Sequence, residues 1–493
     1  MASMKIFKSK MIQAFLIGTL AFYLGLSFGF AQGADWAEEK IQTCSAIDQK
    51  SDDYSELAHS IWELAEVGYQ EYKSSALLQQ SLTSAGFSVI PGVADIPTAF
   101  IASYGEGTPV IAILAEFDAL PGISQDAVPF RQKREEVQAG HACGHHLFGA
   151  GSTAAAIAVK EWMESTEQKG TIRLYGTPAE EGGAGKVYMV REGLFDDVDA
   201  VLHWHPGSGN GASAASSLAN KSAKFRFHGI ASHAAAAPER GRSALDAVEA
   251  MNFMVNSMRE HIPSEARIHY VITSGGEAPN VVPEFAEVFY YVRHPEAAVV
   301  HQLFERVANA AKGAALGTET TVDYEIIHGL FNLLPNETLS ELMYDNLTHI
   351  GGVKYDNEEL AFAEKIAETF EFVQPDLNSA GLIAPYTVEN TGKGGSTDVG
   401  DVSWAVPTAG MRSATWVPGT SAHTWQAVAA GGMTIGHKGM IVAAKTLATT
   451  AIDLFQNKEF LTKAKKELTE KRGLDWIYQP LLGDRNPPLD YRK

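Results

Sequence analysis

Five side chains of this sequence, Cys143, His145, Glu181, His205 and His423, are of the types that hold metal ions, and a sixth, Glu180, stands beside one of them as a proton carrier. Imidazole and thiolate suit Zn²⁺, and carboxylate completes a mixed shell of about four ligands per ion. Two such ions about 3.5–4 Å apart polarise a carbonyl and activate a water between them, which is hydrolase chemistry. Neighbours on an extended segment point opposite ways, so in the doublet Glu180-Glu181 one carboxylate can bind metal while the other faces the water as general base. The densest part of the set is His141-Ala142-Cys143-Gly144-His145-His146. Taken alone it reads more readily as a buried cysteine beside hydrogen-bonded histidines; the later stretches turn the reading toward a site.

The elements that must position these residues follow an α/β pattern. An apolar strand over 110–115 precedes the histidine stretch and a small-residue helix over 149–164 follows it. A strand over 171–175 ends just before Pro178-Ala179-Glu180-Glu181-Gly182-Gly183, and the apolar run 198–202 delivers His203-Trp204-His205-Pro206. Chemistry at successive strand ends is where open α/β sheets keep their sites. At Ser217 the pattern changes to strand (223–227), helix (243–259), strands (267–273 and 286–292), helix (296–314) and strand (320–327), a ferredoxin-like βαββαβ insertion. The expected organisation is a first catalytic part over 45–216, an inserted domain over 217–331 and a second catalytic part over 332–493. That last part holds two glycine-rich loops, at 394–398 and 419–425, a helix over 440–454, and a charged, then proline-rich stretch from Gln456 that should wrap the surface.

At 493 residues the chain is long enough for two domains or one elaborated one. Its formal net charge of −20 argues against a nucleic-acid partner, because such proteins concentrate Lys and Arg. Lys5, Lys8 and Lys10 precede an apolar run over 11–30 with small residues at its exit, which reads as a cleaved signal peptide over 1–33 and export to the periplasm or beyond; an uncleaved anchor is the alternative. Two cysteines, Cys44 and Cys143, allow one disulfide on the count, but Cys143 sits among histidines, so two unpaired cysteines are expected.

Cys143-Gly144-His145 after His141-Ala142, Pro178-Ala179-Glu180-Glu181-Gly182, Trp204-His205-Pro206, Ser232-His233-Ala234, Asn280-Val281-Val282-Pro283 and the late His423 resemble the M20 metallopeptidase family, in its amidohydrolase branch. The likeness runs in order over nearly the whole chain after the leader. Within the branch, Ser396-Thr397-Asp398-Val399-Gly400-Asp401-Val402-Ser403-Trp404 and His423-Thr424-Trp425-Gln426 resemble the aminobenzoyl-glutamate utilization protein B group. The resemblance implies a zinc-peptidase-like catalytic domain with a mixed sheet, an inserted lid through which chains pair, and two divalent metal ions, Zn²⁺ foremost with Mn²⁺ or Co²⁺ as alternatives. It implies metal ligation by Cys143, His145, Glu181, His205 and His423, a base at Glu180, and an orienting carboxylate at Asp118. His233 would reach a partner subunit's site and steady the oxyanion, and Asn280 and Arg293 would take the substrate's carboxylate end.

Two positions depart from the family pattern. Glu116 stands where other branches have a metal-binding histidine, and His146 where this branch usually has Asp or Asn, so His146 either adds a donor behind the ligands or disturbs the second metal. His203 and His328 have no matching partner in sequence and are expected to be structural. The expected activity is metal-dependent hydrolysis of the amide in an N-acyl or N-aroyl amino acid, p-aminobenzoyl-glutamate-like, by a homodimer or a pair with a paralogous subunit. The alternatives are an M20-type dipeptidase or aminoacylase, and, in another class, a non-catalytic exported binding protein, which the presence of Glu180, Glu181 and His423 argues against. A Cys143 nucleophile with a histidine base would leave Glu181, His205 and His423 unexplained.

Overall fold

The computed structural model describes residues 36–371, 375–389 and 394–493; the leader expected over 1–33 lies outside them. The chain divides into two compact units, Met1–Gln42 and Thr43–Lys493. In the first, the described residues enter a helix that begins at Glu38. The second holds the two main sheets and every residue of the site.

In chain order the main strands are β1 (Ser88–Pro91), β2 (Phe100–Glu106), β3 (Val110–Ala115), β4 (Gly170–Gly176), β5 (Ala200–Gly207), β6 (Ala219–His228), β7 (Arg267–Ser274), β8 (Phe285–His294), β9 (Thr321–Leu330) and β10 (Thr408–Ala414). One sheet has the order β1-β2-β4-β3-β5-β10. Its strands β4, β3, β5 and β10 are mutually parallel, and β2 runs against β1 and β4. β3 is buried along its whole length, as parallel strands covered on both faces are. Helices His145–Thr166 and Thr434–Gln456 pack against each other and against this sheet. Small residues allow the close approach: a Cβ on Gly151 would come 2.9 Å from Met440 and 3.0 Å from Trp204.

The second sheet, β7-β8-β6-β9, is antiparallel throughout. In the chain order βαββαβ this is the ferredoxin-like arrangement, so the fold class is the expected one: a mixed α/β sheet interrupted between β5 and β10 by a four-stranded insertion. Burial alternates along β8, and the buried side chains (Val288, Tyr290, Val292) meet Met251 and Phe304 of helices Ala244–Met258 and Ala297–Thr318 in a core of their own. No helix among the described residues is long and apolar enough to cross a membrane.

The structure corrects the sequence reading at several elements. The long helix starts at His145 rather than 149, so both histidines lie in its first turn. β10 and the helices Val399–Ala405 and Trp425–Gly431 carry no expectation from sequence. The stretch after Gln456 is not merely surface-wrapping: Lys458–Arg472 is a helix that buries Leu461, Ala464 and Leu468 at helical spacing.

Candidate metal centre

The carboxyl ends of the parallel strands deliver the site. Glu116 and Asp118 follow β3, Glu180 and Glu181 follow β4, His205 lies near the end of β5, and His423 lies in the loop after β10. Gly144, at φ 79, turns the chain into the helix that carries His145; a Cβ there would strike Pro206 at 2.6 Å. His423 is itself left-handed, at φ 63, and its N–H donates to the Ala142 carbonyl at 2.9 Å, tying the late loop to the histidine stretch.

All five sequence-predicted ligands come together. Cys143, His145 and His205 form one group, and Cys143, Glu181 and His423 a second, the ligand atoms of each lying within 4.8 Å of one another. The Cys143 Sγ lies 3.5 Å from His205 Nε2, and Glu181 Oε1 3.0 Å from His423 Nε2. A third group joins Glu116, His145 and Glu180. The two adjacent carboxylates thus serve different groups, but not by strand alternation as expected: residues 180–183 form a turn entered through Ala179 at φ 59.

Asp118 holds two members at once. Its Oδ1 lies 2.9 Å from His145 Nδ1, and its Oδ2 accepts the Glu181 backbone N–H at 2.9 Å. His145 therefore presents Nε2 to the centre, where Glu116 Oε2 faces it at 3.1 Å. Lys186, fully buried, stands 2.7 Å from Glu116 Oε1 and 2.7 Å from Asp398 Oδ1.

Burial dominates the titration of these groups. It pushes the Cys143 thiol up and pulls His205 down to about 3. Burial also raises Glu180 well above the carboxylate range, helped by Glu116, Glu181 and Asp398. For His145 burial works against the charge, yet Cys143, Glu116 and Asp118 hold it well above its ordinary value. The contact with Glu181 raises His423. Glu116 and Asp398 flank the buried Lys186, and Asp118, Glu180 and Glu181 lie in the same cluster, a gathering of carboxylates that cations would offset. Three buried ligand atoms, Glu116 Oε2, His145 Nε2 and Glu181 Oε1, make no well-formed hydrogen bond and meet each other or His423 at ion-pair distance. Such orphans are costly unless something binds them, and thiolate, imidazole and carboxylate are the donors that zinc takes, so the residues fit a metal centre.

Other sequence-predicted residues lie elsewhere. His233 is exposed on the inserted unit with its Nδ1 accepting the Ala235 and Ala236 N–H groups. Asn280 is exposed in the same loop cluster, where its carbonyl accepts the Ala234 N–H, and Arg293 is half-buried over the Tyr291 ring. Among the described residues, none of the three bonds to the ligand groups. His146 donates to the Gly431 carbonyl at 2.9 Å and belongs to none of the ligand groups. His203 packs under Gly410, where a Cβ would meet its ring at 2.2 Å. The pairing of Lys186 with Asp398 was not anticipated, although Asp398 lies in the 396–404 motif; a lysine is almost never fully buried, and the hint for Lys186 was a lone cation in the apolar run Gly185-Lys186-Val187-Tyr188-Met189-Val190. No disulfide joins Cys44 and Cys143.

A model of peptidase family M20/M25/M40 matches residues 112–428. The chain is 46% identical over 447 residues to one of the p-aminobenzoyl-glutamate hydrolase subunits of Escherichia coli (strain K12), covering 86% of this chain and 93% of that one. It is 30% identical to the Xaa-Arg dipeptidase of Mus musculus, covering 89% of this chain and 94% of that one. A dinuclear metal binding peptidase of the M20 family from Bacillus subtilis has the same fold at 18% identity, with 83% of this chain and 99% of that one superposed at a TM-score of 0.57. Motif order, sheet topology and these matches agree: the chain belongs to peptidase family M20/M25/M40.

Proposed function

We propose that the protein is a metal-dependent amidohydrolase cleaving the amide that joins an aroyl or acyl group to an amino acid, with p-aminobenzoyl-glutamate as its first candidate substrate. The reading is carried by the convergence of Cys143, His145, Glu181, His205 and His423 on two ligand groups that share one thiol and contain orphaned buried donors. The E. coli relative, named for p-aminobenzoyl-glutamate hydrolysis, supports the substrate class. Cys143, His145 and His205 would hold one ion and Cys143, Glu181 and His423 the other, and this donor set favours Zn²⁺.

When bound, the ions supply Lewis acidity, polarising the scissile carbonyl and making a water easier to deprotonate. Glu180, whose affinity for a proton is raised by burial and neighbouring carboxylates, takes that proton and hands it to the departing amine nitrogen. Asp118 keeps His145 and the Glu181 backbone in fixed directions while this happens. Burial argues against Cys143 as nucleophile, since it pushes the thiol up where an activated cysteine needs to be pulled down.

His233 is assigned to the site of a second copy or paralogue, where it would steady the tetrahedral oxyanion, and Asn280 and Arg293 to the substrate's carboxylate. Pairing through the insertion is supported by apolar side chains on its edge strand β7 and outer helix, with Val271 56% and Phe253 73% exposed. The partner is a copy of this chain or a paralogous chain; the latter is favoured because the E. coli relative is named as one of the subunits of its hydrolase. Residues 1–33 support export, which the N-terminal sequence of the mature protein checks.

The decisive experiment is metal analysis with turnover on p-aminobenzoyl-glutamate, and on Xaa-Arg dipeptides in parallel, for the full-length protein and its Glu180→Gln variant. The native protein should lose turnover to a chelator, and the variant should keep its metal while turning over about 10³-fold more slowly. Unchanged turnover removes Glu180 from its role, and faster dipeptide cleavage moves the substrate class to dipeptides.

A further inference from the structure

The turn bearing Glu180 and Glu181 belongs to neither helix nor strand, yet three of its successive backbone carbonyls are taken. Glu181 O accepts from Arg492 Nη2 at 2.8 Å and from the Tyr491 hydroxyl at 3.4 Å. Gly182 O accepts from His328 Nε2 at 2.5 Å, and Gly183 O from the Tyr69 hydroxyl at 2.8 Å. The donors come from three remote stretches: an early loop, the last strand of the insertion, and the segment 489–493. The turn's N–H groups are held by other means, Ala179 N by Glu71 at 2.9 Å and Glu181 N by Asp118.

The segment that supplies Arg492 is itself fastened. Gln70 donates to the Leu489 carbonyl at 2.8 Å, Arg191 to the Arg485 carbonyl at 2.7 Å, and Arg485 to the Ile327 carbonyl of β9 at 3.3 Å. The Tyr491 ring meets Tyr69 edge-on at 5.6 Å, and its hydroxyl lies where a Cβ on Gly68 would be, 2.2 Å away. A Cβ on Gly182 would press at 3.3–3.4 Å on His328, Arg492 and Tyr491 together. His328 can serve as donor because the Tyr291 hydroxyl, 2.9 Å away, satisfies its other ring nitrogen.

We infer that Arg492, with Tyr491 and His328, is a positioning residue for the reaction: these donors fix the turn so that Glu180 and Glu181 keep their separate directions. The inference rests on the roles proposed for those two carboxylates. Without the Arg492 donor the turn gains freedom about Gly182 and Gly183, and both carboxylates drift together. Displacements of about 1 Å cost on the order of 10²-fold in rate, and lost partners behind a ligand cost about 10–100-fold in metal affinity.

The test uses the full chain with Arg492→Met, Arg492→Lys and His328→Gln beside Glu180→Gln, measuring kcat, KM, metal retention against a chelating dye, and thermal melting. Arg492→Met should melt with the native protein, lose at least about 10-fold in kcat at unchanged KM, and surrender metal at lower chelator concentration. Arg492→Lys, which keeps a donor, should recover part of both losses. If Arg492→Met melts early, the decision passes to His328→Gln and Arg492→Lys, and native kcat and metal retention in both overturn the inference. Native kcat and metal retention in a stably folded Arg492→Met overturn it as well, leaving the proposed function intact. Full turnover by Glu180→Gln overturns the proposed function instead, and a native protein that retains no metal overturns both.

Discussion

The two sheets place their charged residues in opposite ways. In the large sheet they gather beyond the strand ends, buried and partly orphaned, as Glu116, His145 and Glu181 are. In the inserted sheet a group of them lies across an open face and is paired: Arg226 reaches Glu287 at 2.8 Å and Glu325 at 2.7 Å, with 29% of its side chain still in solvent. The first arrangement costs stability and is tolerable where a cation will be bound; the second costs little and contributes little. Orphaned carboxylate and imidazole atoms gathered in one cluster, rather than charge as such, mark the working end of this molecule.

Substitutions on the two sheets test that contrast. The largest effect is expected at Lys186, because Lys186→Met strands Glu116 Oε1 and Asp398 Oδ1 without their counter-charge; denaturant titration should show a loss of about 3–5 kcal/mol. A loss under about 1 kcal/mol, the range of an exposed pair, would erase the difference between the sheets. Next is acid sensitivity. Burial, Lys186 and Arg412 pull His203 down to about 3, so the folded chain refuses a proton that the unfolded chain accepts below its ordinary value near 6.5. The stability this histidine confers is complete above pH 6.5 and drains away as pH falls toward 3, at no more than about 1.4 kcal/mol per pH unit. In chelator-treated protein His203→Gln should flatten that slope, and an identical slope would remove His203 as its source. The smallest change is expected from Arg226→Met on the inserted sheet, about 0–1 kcal/mol and shrinking with added salt.

Much of the centre was legible in the sequence because few residue types can do the work: a thiol, three imidazoles and a carboxylate doublet at strand ends leave little room for other readings. The βαββαβ insertion was legible too, since β8 alternates buried and open positions along its length. What escaped had no local signature. β10, Thr-Ala-Gly-Met-Arg-Ser-Ala, has neither alternation nor β-branched enrichment and becomes a strand by pairing with β5. The turn that carries Glu180 and Glu181 is entered through a left-handed Ala179, a conformation that nothing in Pro178-Ala179-Glu180 announces. Lys186 and His328 look like ordinary surface and strand residues until tertiary contact brings each to the site.

The insertion between β5 and β10 also dictates an order of events during synthesis. A ribosome releases β6 to β9 with both their helices, a layer that can bury its own apolar face, while the large sheet still lacks β10 and the centre lacks His423. Five of the six strands of the large sheet must therefore wait, with the edge of β5 uncovered, for a strand encoded far downstream. The five candidate ligand side chains are not all present until residue 423 has emerged, so the complete centre can form only late in synthesis.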